Sequence, residues 1–147
     1  ETQKLLEQLK PYEKDYVFAG DGFSNAVTLG YNARHYFLVF GEGSSHARHD
    51  DILTDFRALD GRNILILRKT KPDLDYYEKF FHKVDIRSFK VRGVDFYIVL
   101  GRTFYYAAYR DDVLEWVREK YYAIPRWLPQ NGCYFCDRYF PETPCCK

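Results

Sequence analysis

The sequence predicts an α/β fold, arranged as a three-layer sandwich whose sheet is mainly parallel with an antiparallel hairpin at one edge. Short apolar runs at 16–19, 36–40 and 63–67 alternate with segments of helical spacing. Strands that alternate with helices imply crossover connections and therefore parallel pairing. Two later apolar runs meet at Arg92-Gly93, a dipeptide typical of a tight antiparallel hairpin.

Apolar spacing marks three helices in the first half of the chain. Leucines place a short amphipathic helix over residues 2–10. A second helix is predicted over 22–31, after the first strand. A third starts at Asp50 or Asp51, which are suited to cap it, and ends near the glycine at position 61. Its predicted apolar face consists of Ile52, Leu53, Phe56 and Leu59.

The second half of the chain continues the alternation and then changes character. A helix is predicted over 72–81, followed by strands over 84–91 and 94–100, and Asp111 and Asp112 are suited to start the next helix. The predicted organisation is an α/β domain over residues 1–124. The remaining residues, 125–147, are predicted to form an irregular tail, rich in proline and cysteine, that packs on this domain.

Composition excludes some functions and leaves others open. The formal net charge is +1, which gives no strong basic field, and basic residues are not gathered with aromatics, so nucleic acid is not an expected partner. The chain contains 14 tyrosines and 12 phenylalanines. Tyrosine in this quantity suits a surface that meets an amphipathic partner, although a bulky core with polar edges explains it as well.

The chain contains no methionine, from which we expect a processed product or an excised piece of a longer protein. No apolar run approaches the roughly 20 residues of a membrane helix. We expect the segment itself to be soluble.

The Gly20-Asp21-Gly22 step follows the first predicted strand, where glycine-rich turns approach phosphates or riboses. A dinucleotide fingerprint needs a third glycine, and Asn25 stands in its place. No phosphate-loop lysine follows. The favoured interpretation is a turn with positive backbone angles in which Asp21 caps the next helix.

A dense polar cluster follows the second predicted strand and contains two histidines, His46 and His49. These are three residues apart and could face one metal ion on a helical turn, but no third ligand is positioned by spacing. Solvated side chains beside an aspartate-capped helix are an alternative. A polar loop that contacts an anionic group is favoured over metal binding, because Arg48 offers a guanidinium matched to phosphate.

All four cysteines lie in the predicted tail, at Cys133, Cys136, Cys145 and Cys146. In an oxidising compartment they are predicted to pair as disulfides that staple the tail. In a reducing compartment the same residues suggest a structural zinc site. A redox-active C-x-x-C is the third interpretation. Disulfides are favoured, zinc comes second, and no other cofactor is predicted.

No catalytic constellation is complete in this sequence. A serine elbow is absent, and the paired carboxylates at 50–51 and 111–112 stand at predicted helix starts, where the helix dipole explains them. No catalytic residue is therefore predicted.

The order of these features resembles a known family. The motifs GDGFSNAVTLGY, HYFLVF, DDILTDFRALDGRNILIL and FYIVL follow one another as in the C-terminal extracytoplasmic domain of bacterial dolichyl-phosphate-mannose–protein mannosyltransferase-like integral-membrane glycosyltransferases, which are relatives of the aminoarabinose lipid A transferases. The likeness covers about residues 1–100. The family pattern G-D-x-(F/Y)-x-x-A-x-x-L-x-(F/Y) is approximated by Gly20, Asp21, Phe23, Ala26, Leu29 and Tyr31.

The resemblance implies a parent enzyme that transfers a sugar from a polyprenyl-phosphate donor to a lipid or protein acceptor, with its catalytic acid outside this segment. It implies a location at the periplasmic face of the bacterial inner membrane and membrane attachment through upstream helices. The segment would assist binding of the acceptor or of the lipid head group. Contact residues are predicted at or just beyond strand ends, and they are Asp21, His46, Arg48 and His49.

Two other functions remain open from the sequence. One is a stand-alone enzyme that binds a nucleotide or cofactor, such as a divergent methyltransferase with Asp21 near the ribose. The other is an interaction module stabilised by zinc at the cysteine-rich tail.

Overall fold

The computed structural model describes residues 2–42, 49–129 and 131–143, which form a mixed five-stranded sheet with helices. The strands are β1 (Val17–Gly20), β2 (Leu38–Val39), β3 (Ile64–Arg68), β4 (Phe81–Val91) and β5 (Val94–Phe104). The helices are α1 (Thr2–Leu9), α2 (Phe23–Ala33), α3 (His49–Leu53), α4 (Leu74–Glu78), α5 (Tyr106–Tyr109), α6 (Glu115–Tyr121) and α7 (Tyr134–Tyr139). Short 3₁₀ turns lie at Lys10–Tyr12 and Phe56–Leu59, and a π-helical turn at Arg110–Leu114 joins α5 to α6.

The strand order is β2-β1-β3-β5-β4. Strand β1 pairs in parallel with β2 and β3, whereas β5 pairs antiparallel with β3 and β4. The α/β class and the antiparallel hairpin at one edge are thus confirmed. The sheet is mixed where a mainly parallel one was predicted. Two of its strand pairs are parallel, and β5 forms two antiparallel pairs, with β3 and with β4.

Strand β3 lies at the centre of the sheet and is covered on both sides. Ile64, Leu65 and Ile66 have no exposed surface, as the continuous aliphatic run predicts. Since successive side chains point to opposite faces, Ile64 and Ile66 belong to one buried cluster and Leu65 to another. Helices α1 and α2 cover the second cluster, while residues from α4 to α7 contribute to the first.

The tail departs from the irregular structure predicted for it. Helix α7 (Tyr134–Tyr139) forms within its described part, and Phe135 and Tyr139 are buried in the same core cluster as the sheet. The ring of Phe135 stacks on Tyr122 with centroids 4.3 Å apart. Burial of these aromatic side chains therefore stabilises a helix in the tail. The proline and cysteine content of the tail gave no indication of this helix.

Three predicted helices have different bounds in the structure. The helix expected over 50–59 breaks into α3 and a 3₁₀ turn, and its expected apolar face divides, because Phe56 is buried while Ile52 and Leu53 are exposed. The helix expected over 72–81 is α4, and strand β4 starts earlier than predicted. Asp111 and Asp112 lie within the π-helical turn, several residues after the helical segment begins.

Candidate functional site

The carboxyl ends of β1 and β3 lie side by side at one edge of the sheet. After β1 the chain enters α2, whose buried residues belong to the same core cluster as Leu65. After β3 it enters α4, whose buried Tyr77 belongs to the other cluster, with Ile64 and Ile66. Neighbouring parallel strands whose connections leave toward opposite faces open a crevice between them. In open α/β sheets ligands bind in such crevices.

Gly20 allows α2 to approach β1 closely. A Cβ atom at this position would lie 3.1 Å from the backbone nitrogen of Ala26 and 3.2 Å from its Cα. The predicted positive backbone angles are absent here, since neither Gly20 nor Gly22 has a positive φ, and Gly22 is extended at φ −168°. The glycine requirement at this turn comes from helix–strand packing.

Asp21 has a different role from the predicted helix cap. Gly22 is the N-cap residue of α2, and no side chain caps the helix. The Asp21 carboxylate accepts a hydrogen bond from Asn25 Nδ2 at 3.0 Å, and its Oδ2 lies 3.7 Å from Arg68 Nε. It therefore connects the start of α2 to the end of β3.

Arg68 is held at the end of β3 by several partners. Its Nη1 donates to the hydroxyl of Tyr77 at 2.9 Å, and its Nε and Nη2 donate to Thr70 Oγ1 at 3.2 Å and 2.6 Å. Burial raises the pKa of the Tyr77 hydroxyl, and the Arg68 charge opposes this shift only in part. Tyr77 thus stays a neutral hydroxyl at physiological pH and fixes the guanidinium in place.

A cleft of about 460 Å³ opens beside Arg68, between α1, α2 and the β4–β5 hairpin. We call it the basic cleft, because Arg68, Lys69 and Arg92 contribute its cationic groups. Hydroxyl and amide groups reach it from the first half of α2. The remaining lining residues are Thr2, Leu5, Ser24, Asn25, Thr28, Leu29, Leu67, Val91, Val94 and Phe96.

The basic cleft combines positive charge with an apolar floor. Leu5, Leu29 and Leu67 are buried beneath it. The ammonium of Lys69 lies 6.0 Å from the centroid of the Phe96 ring, at the limit of a cation–π contact. Such a surface matches a ligand that has an anionic group joined to an apolar part.

A second cavity of about 380 Å³ lies between α2, β2 and α3 and is lined almost entirely by apolar side chains. Several of the surrounding side chains are exposed, including Val27, Tyr31 and Leu53. His35, Asp50 and two tyrosines, Tyr31 and Tyr36, supply the polar side chains of its described lining. Among the residues that the structure describes, no lysine or arginine lines this cavity.

Of the four predicted contact residues, the structure brings Asp21 to the edge of the basic cleft, through its contact with Arg68. His46 and Arg48 lie outside the described residues. The backbone of His49 is described and begins α3. The predicted polar loop around these residues stays a prediction.

The structure describes two of the four cysteines, Cys133 and Cys136. Cys133 Sγ accepts a hydrogen bond from the Cys136 amide at 3.4 Å, so the thiol caps the start of α7. Cys136 is buried and is disulfide-bonded. Cys145 and Cys146 lie outside the described residues, so the pairing of the four cysteines stays a prediction. Within 2–42, 49–129 and 131–143 there is no group of three or more potential metal ligands.

The cations of the basic cleft were not among the residues predicted from sequence. Arg68 and Lys69 follow the third strand directly, so their position at the carboxyl end of a strand was a usable signal. Arg92 had no such signal, because its approach to α1 and α2 depends on the pairing of the hairpin with β3.

Comparison with known proteins identifies no relative. No family model, no curated protein and no solved structure matches this chain. Among the helices of the described residues, none has the length and apolar character needed to cross a membrane.

Proposed function

We propose that this chain is an extracytoplasmic domain of a membrane glycosyltransferase that uses a polyprenyl-phosphate sugar donor, and that its basic cleft binds the phosphate-bearing head group of a lipid-linked ligand. The observation that carries the proposal is the placement of Arg68, Lys69 and Arg92 around an apolar floor in one cleft. The resemblance over residues 1–100 supports it independently.

The chemistry of the cleft fits a phosphate ester of an isoprenoid. Guanidinium and ammonium groups form strong charge-assisted hydrogen bonds to phosphate oxygens. The apolar floor of Leu5, Leu29 and Leu67, with the ring of Phe96 beside it, offers apolar contact for the first isoprene units. A volume of about 460 Å³ lies within the range of small-molecule sites.

The proposal places the sugar-transfer chemistry in a membrane portion of the parent enzyme. In this account the sandwich has three layers, with α1 and α2 on one face of the sheet and the later helices on the other, supported by the two buried clusters. The compartment is periplasmic, which suits the disulfide formed by Cys136.

Ligand titration of the purified chain tests the proposal. Farnesyl phosphate, a short isoprenoid phosphate, is expected to bind. Farnesol should bind more weakly because it lacks the anionic group for the cationic side chains, and inorganic phosphate because it lacks the apolar part that contacts the floor. Lys69→Gln is expected to weaken farnesyl phosphate binding about tenfold. Lys120→Gln, an exposed charge outside the cleft, is the matched control. Equal binding of farnesyl phosphate and farnesol would contradict the proposal.

A nucleotide- or cofactor-binding enzyme is a second candidate, supported by the parallel order β2-β1-β3 and by the close packing at Gly20. A thermal-shift assay with nucleotides and S-adenosylmethionine discriminates between the two. Stabilisation by one of these ligands, with none by farnesyl phosphate, would favour this second function.

A further inference from the structure

We propose that Asp21 determines the charge selectivity of the basic cleft, so that the cleft favours a ligand with one phosphate group over a ligand with a diphosphate. This inference rests on the proposed function of the cleft and adds to it a residue that rejects more highly charged anions. The position of the Asp21 carboxylate, the partners of Arg68 and the charge of Lys69 support it.

The register of the sheet places Asp21 beside Arg68. Strands β1 and β3 pair in parallel with Gly20 opposite Leu67, so the residues that follow these two lie at the same edge. Asp21 Oδ2 is 3.7 Å from Arg68 Nε, and the two side chains are 23% and 21% exposed. Partly buried charges are screened less by salt than exposed ones. The Asp21 carboxylate therefore acts on an anion that approaches Arg68.

The Asp21 carboxylate is held at the wall of the cleft. Its Oδ1 accepts a hydrogen bond from Asn25 Nδ2 at 3.0 Å, and Asn25 lines the cleft. Burial is the main cause that raises the pKa of the Tyr77 hydroxyl, and the negative charge of Asp21 adds to this shift. The carboxylate thus contributes a fixed negative charge to the group of side chains around Arg68.

The two cations at the end of β3 differ in how far their charge is compensated. Arg68 donates hydrogen bonds to the neutral hydroxyls of Tyr77 and Thr70, and Asp21 is its acidic neighbour. In the part of the chain that the structure describes, no carboxylate forms an ion pair with Lys69. One of these two positive charges is therefore balanced within the protein, and the other is available to an anion.

This balance discriminates between anions by their charge. A single phosphate group can bind Lys69 beside the compensated guanidinium of Arg68. A diphosphate carries more negative charge, and its repulsion by Asp21 increases in proportion. A repulsive group placed in a site is one of the two ways to reject the wrong ligand. Arg92 also lines the cleft, but it is the same in every variant below, so its charge does not affect the comparison.

Isothermal titration with farnesyl phosphate and farnesyl diphosphate tests this selectivity. The unmodified chain is expected to bind farnesyl phosphate more tightly. Asp21→Asn removes the charge and keeps an oxygen that can accept from Asn25. It is expected to strengthen diphosphate binding about tenfold and monophosphate binding about threefold. Asp21→Ser, a second neutral variant, should change the ratio in the same direction, whereas Asp21→Glu keeps the charge and should keep the preference for farnesyl phosphate.

Asp95→Asn is the matched control for the loss of one carboxylate. Asp95 Oδ1 lies 3.6 Å from Lys90 Nζ, nearly the distance found between Asp21 and Arg68. Both side chains of this control pair are more than half exposed, and neither residue lines the cleft. Asp95→Asn should leave the ratio of the two affinities unchanged. An equal change of this ratio in Asp95→Asn and Asp21→Asn would assign the selectivity to net charge and overturn the inference.

The other outcomes separate this inference from the function beneath it. If the unmodified chain binds both ligands and Asp21→Asn leaves their ratio unchanged, or if the unmodified chain prefers the diphosphate, the role of Asp21 is wrong while the cleft proposal stands. If Asp21→Asn weakens both ligands and lowers the midpoint of thermal unfolding, Asp21 is structural and the inference is overturned. If the unmodified chain binds neither ligand, the proposed function fails and this inference fails with it.

Discussion

The hydroxyl of Tyr122 donates a 2.6 Å hydrogen bond to Oδ2 of Asp51, joining the end of α6 to α3. Asp51 is 7% exposed, so its carboxylate depends on protein partners for part of its solvation. Asp51, one of the two aspartates expected to cap this helix, thus accepts a hydrogen bond from a residue far along the chain.

Arg138 of α7 forms hydrogen bonds to backbone carbonyls at the C-terminal end of α3. Its Nη1 donates to the carbonyls of Asp51 and Thr54 at 2.9 Å each, and its Nη2 donates to the Ile52 carbonyl at 3.4 Å. The last carbonyls of a helix lack intrahelical partners. A five-residue helix is too short to be stable alone, so α3 depends on contacts from the C-terminal part of the chain.

Replacing Tyr122 by phenylalanine tests the first contact. The Asp51 carboxylate would lose a short hydrogen bond while it remains buried, so we expect a loss of about 1–3 kcal/mol in the free energy of unfolding. Denaturant unfolding measures this loss. The control is Tyr31→Phe, because Tyr31 is 84% exposed and its hydroxyl can bond to water. Equal stability of the two variants would contradict the account.

Replacing Arg138 by glutamine tests the second contact. The carbonyls at the end of α3 would lose their donors, so we expect a loss of about 1–2 kcal/mol and faster amide exchange in α3. Hydrogen exchange followed by mass spectrometry measures the protection of each segment. Arg126→Gln, at an exposed position, should leave both unchanged. Unaltered protection of residues 49–54 in the Arg138 variant would exclude this capping role.

Gly20→Ala tests the packing at the β1–α2 turn. The new methyl group would meet the backbone of Ala26, which can move only if α2 shifts away from β1. We expect a loss of about 1–3 kcal/mol in unfolding free energy and weaker ligand binding in the basic cleft, since α2 lines it. Thermal unfolding and farnesyl phosphate titration report both effects. Unchanged stability of Gly20→Ala would show that the turn accommodates a Cβ atom, contrary to the close contact with Ala26.

Four buried or half-buried tyrosines make the stability of the fold depend on pH in the alkaline range. Burial is the largest cause that raises the pKa of Tyr76, Tyr77, Tyr122 and Tyr139. The unfolded chain ionises near pH 10, so it loses protons before the folded chain does. Stability from these groups is fully present below about pH 10 and falls as the pH rises above it.

Phenolate absorbance and circular dichroism, recorded over one alkaline titration, check this expectation. The exposed tyrosines should ionise first, and the buried ones should ionise together with unfolding. Ionisation of every tyrosine near pH 10 while the circular dichroism stays folded would be the contrary result.

Local sequence patterns predicted the central elements well. The aliphatic run at 63–67 and the observed strand β3 differ by one residue at each end, and the hairpin turn at Arg92-Gly93 is as expected. These elements follow from burial on both faces and from turn chemistry, which a short stretch of sequence contains. Their long-range pairing, such as β3 with β5, required the folded chain.

Elements that depend on distant partners were not predictable in the same way. Helix α7 owes its order to the burial of Phe135 and Tyr139 in the shared core. The helix expected over 50–59 breaks before Phe56, whose amide donates to the hydroxyl of Tyr139 at 3.1 Å. The basic cleft likewise forms only when α2, β3 and the hairpin meet.

The decisive experiment follows farnesyl phosphate binding to the isotope-labelled chain through its backbone amide resonances. We expect saturable shifts that are largest in residues 24–29, 67–69 and 91–96, around the basic cleft, and much smaller shifts with farnesol. An absence of shifts at millimolar ligand, or shifts concentrated at residues 35–39 and 50–53 beside the second cavity, would show that the basic cleft does not bind this ligand.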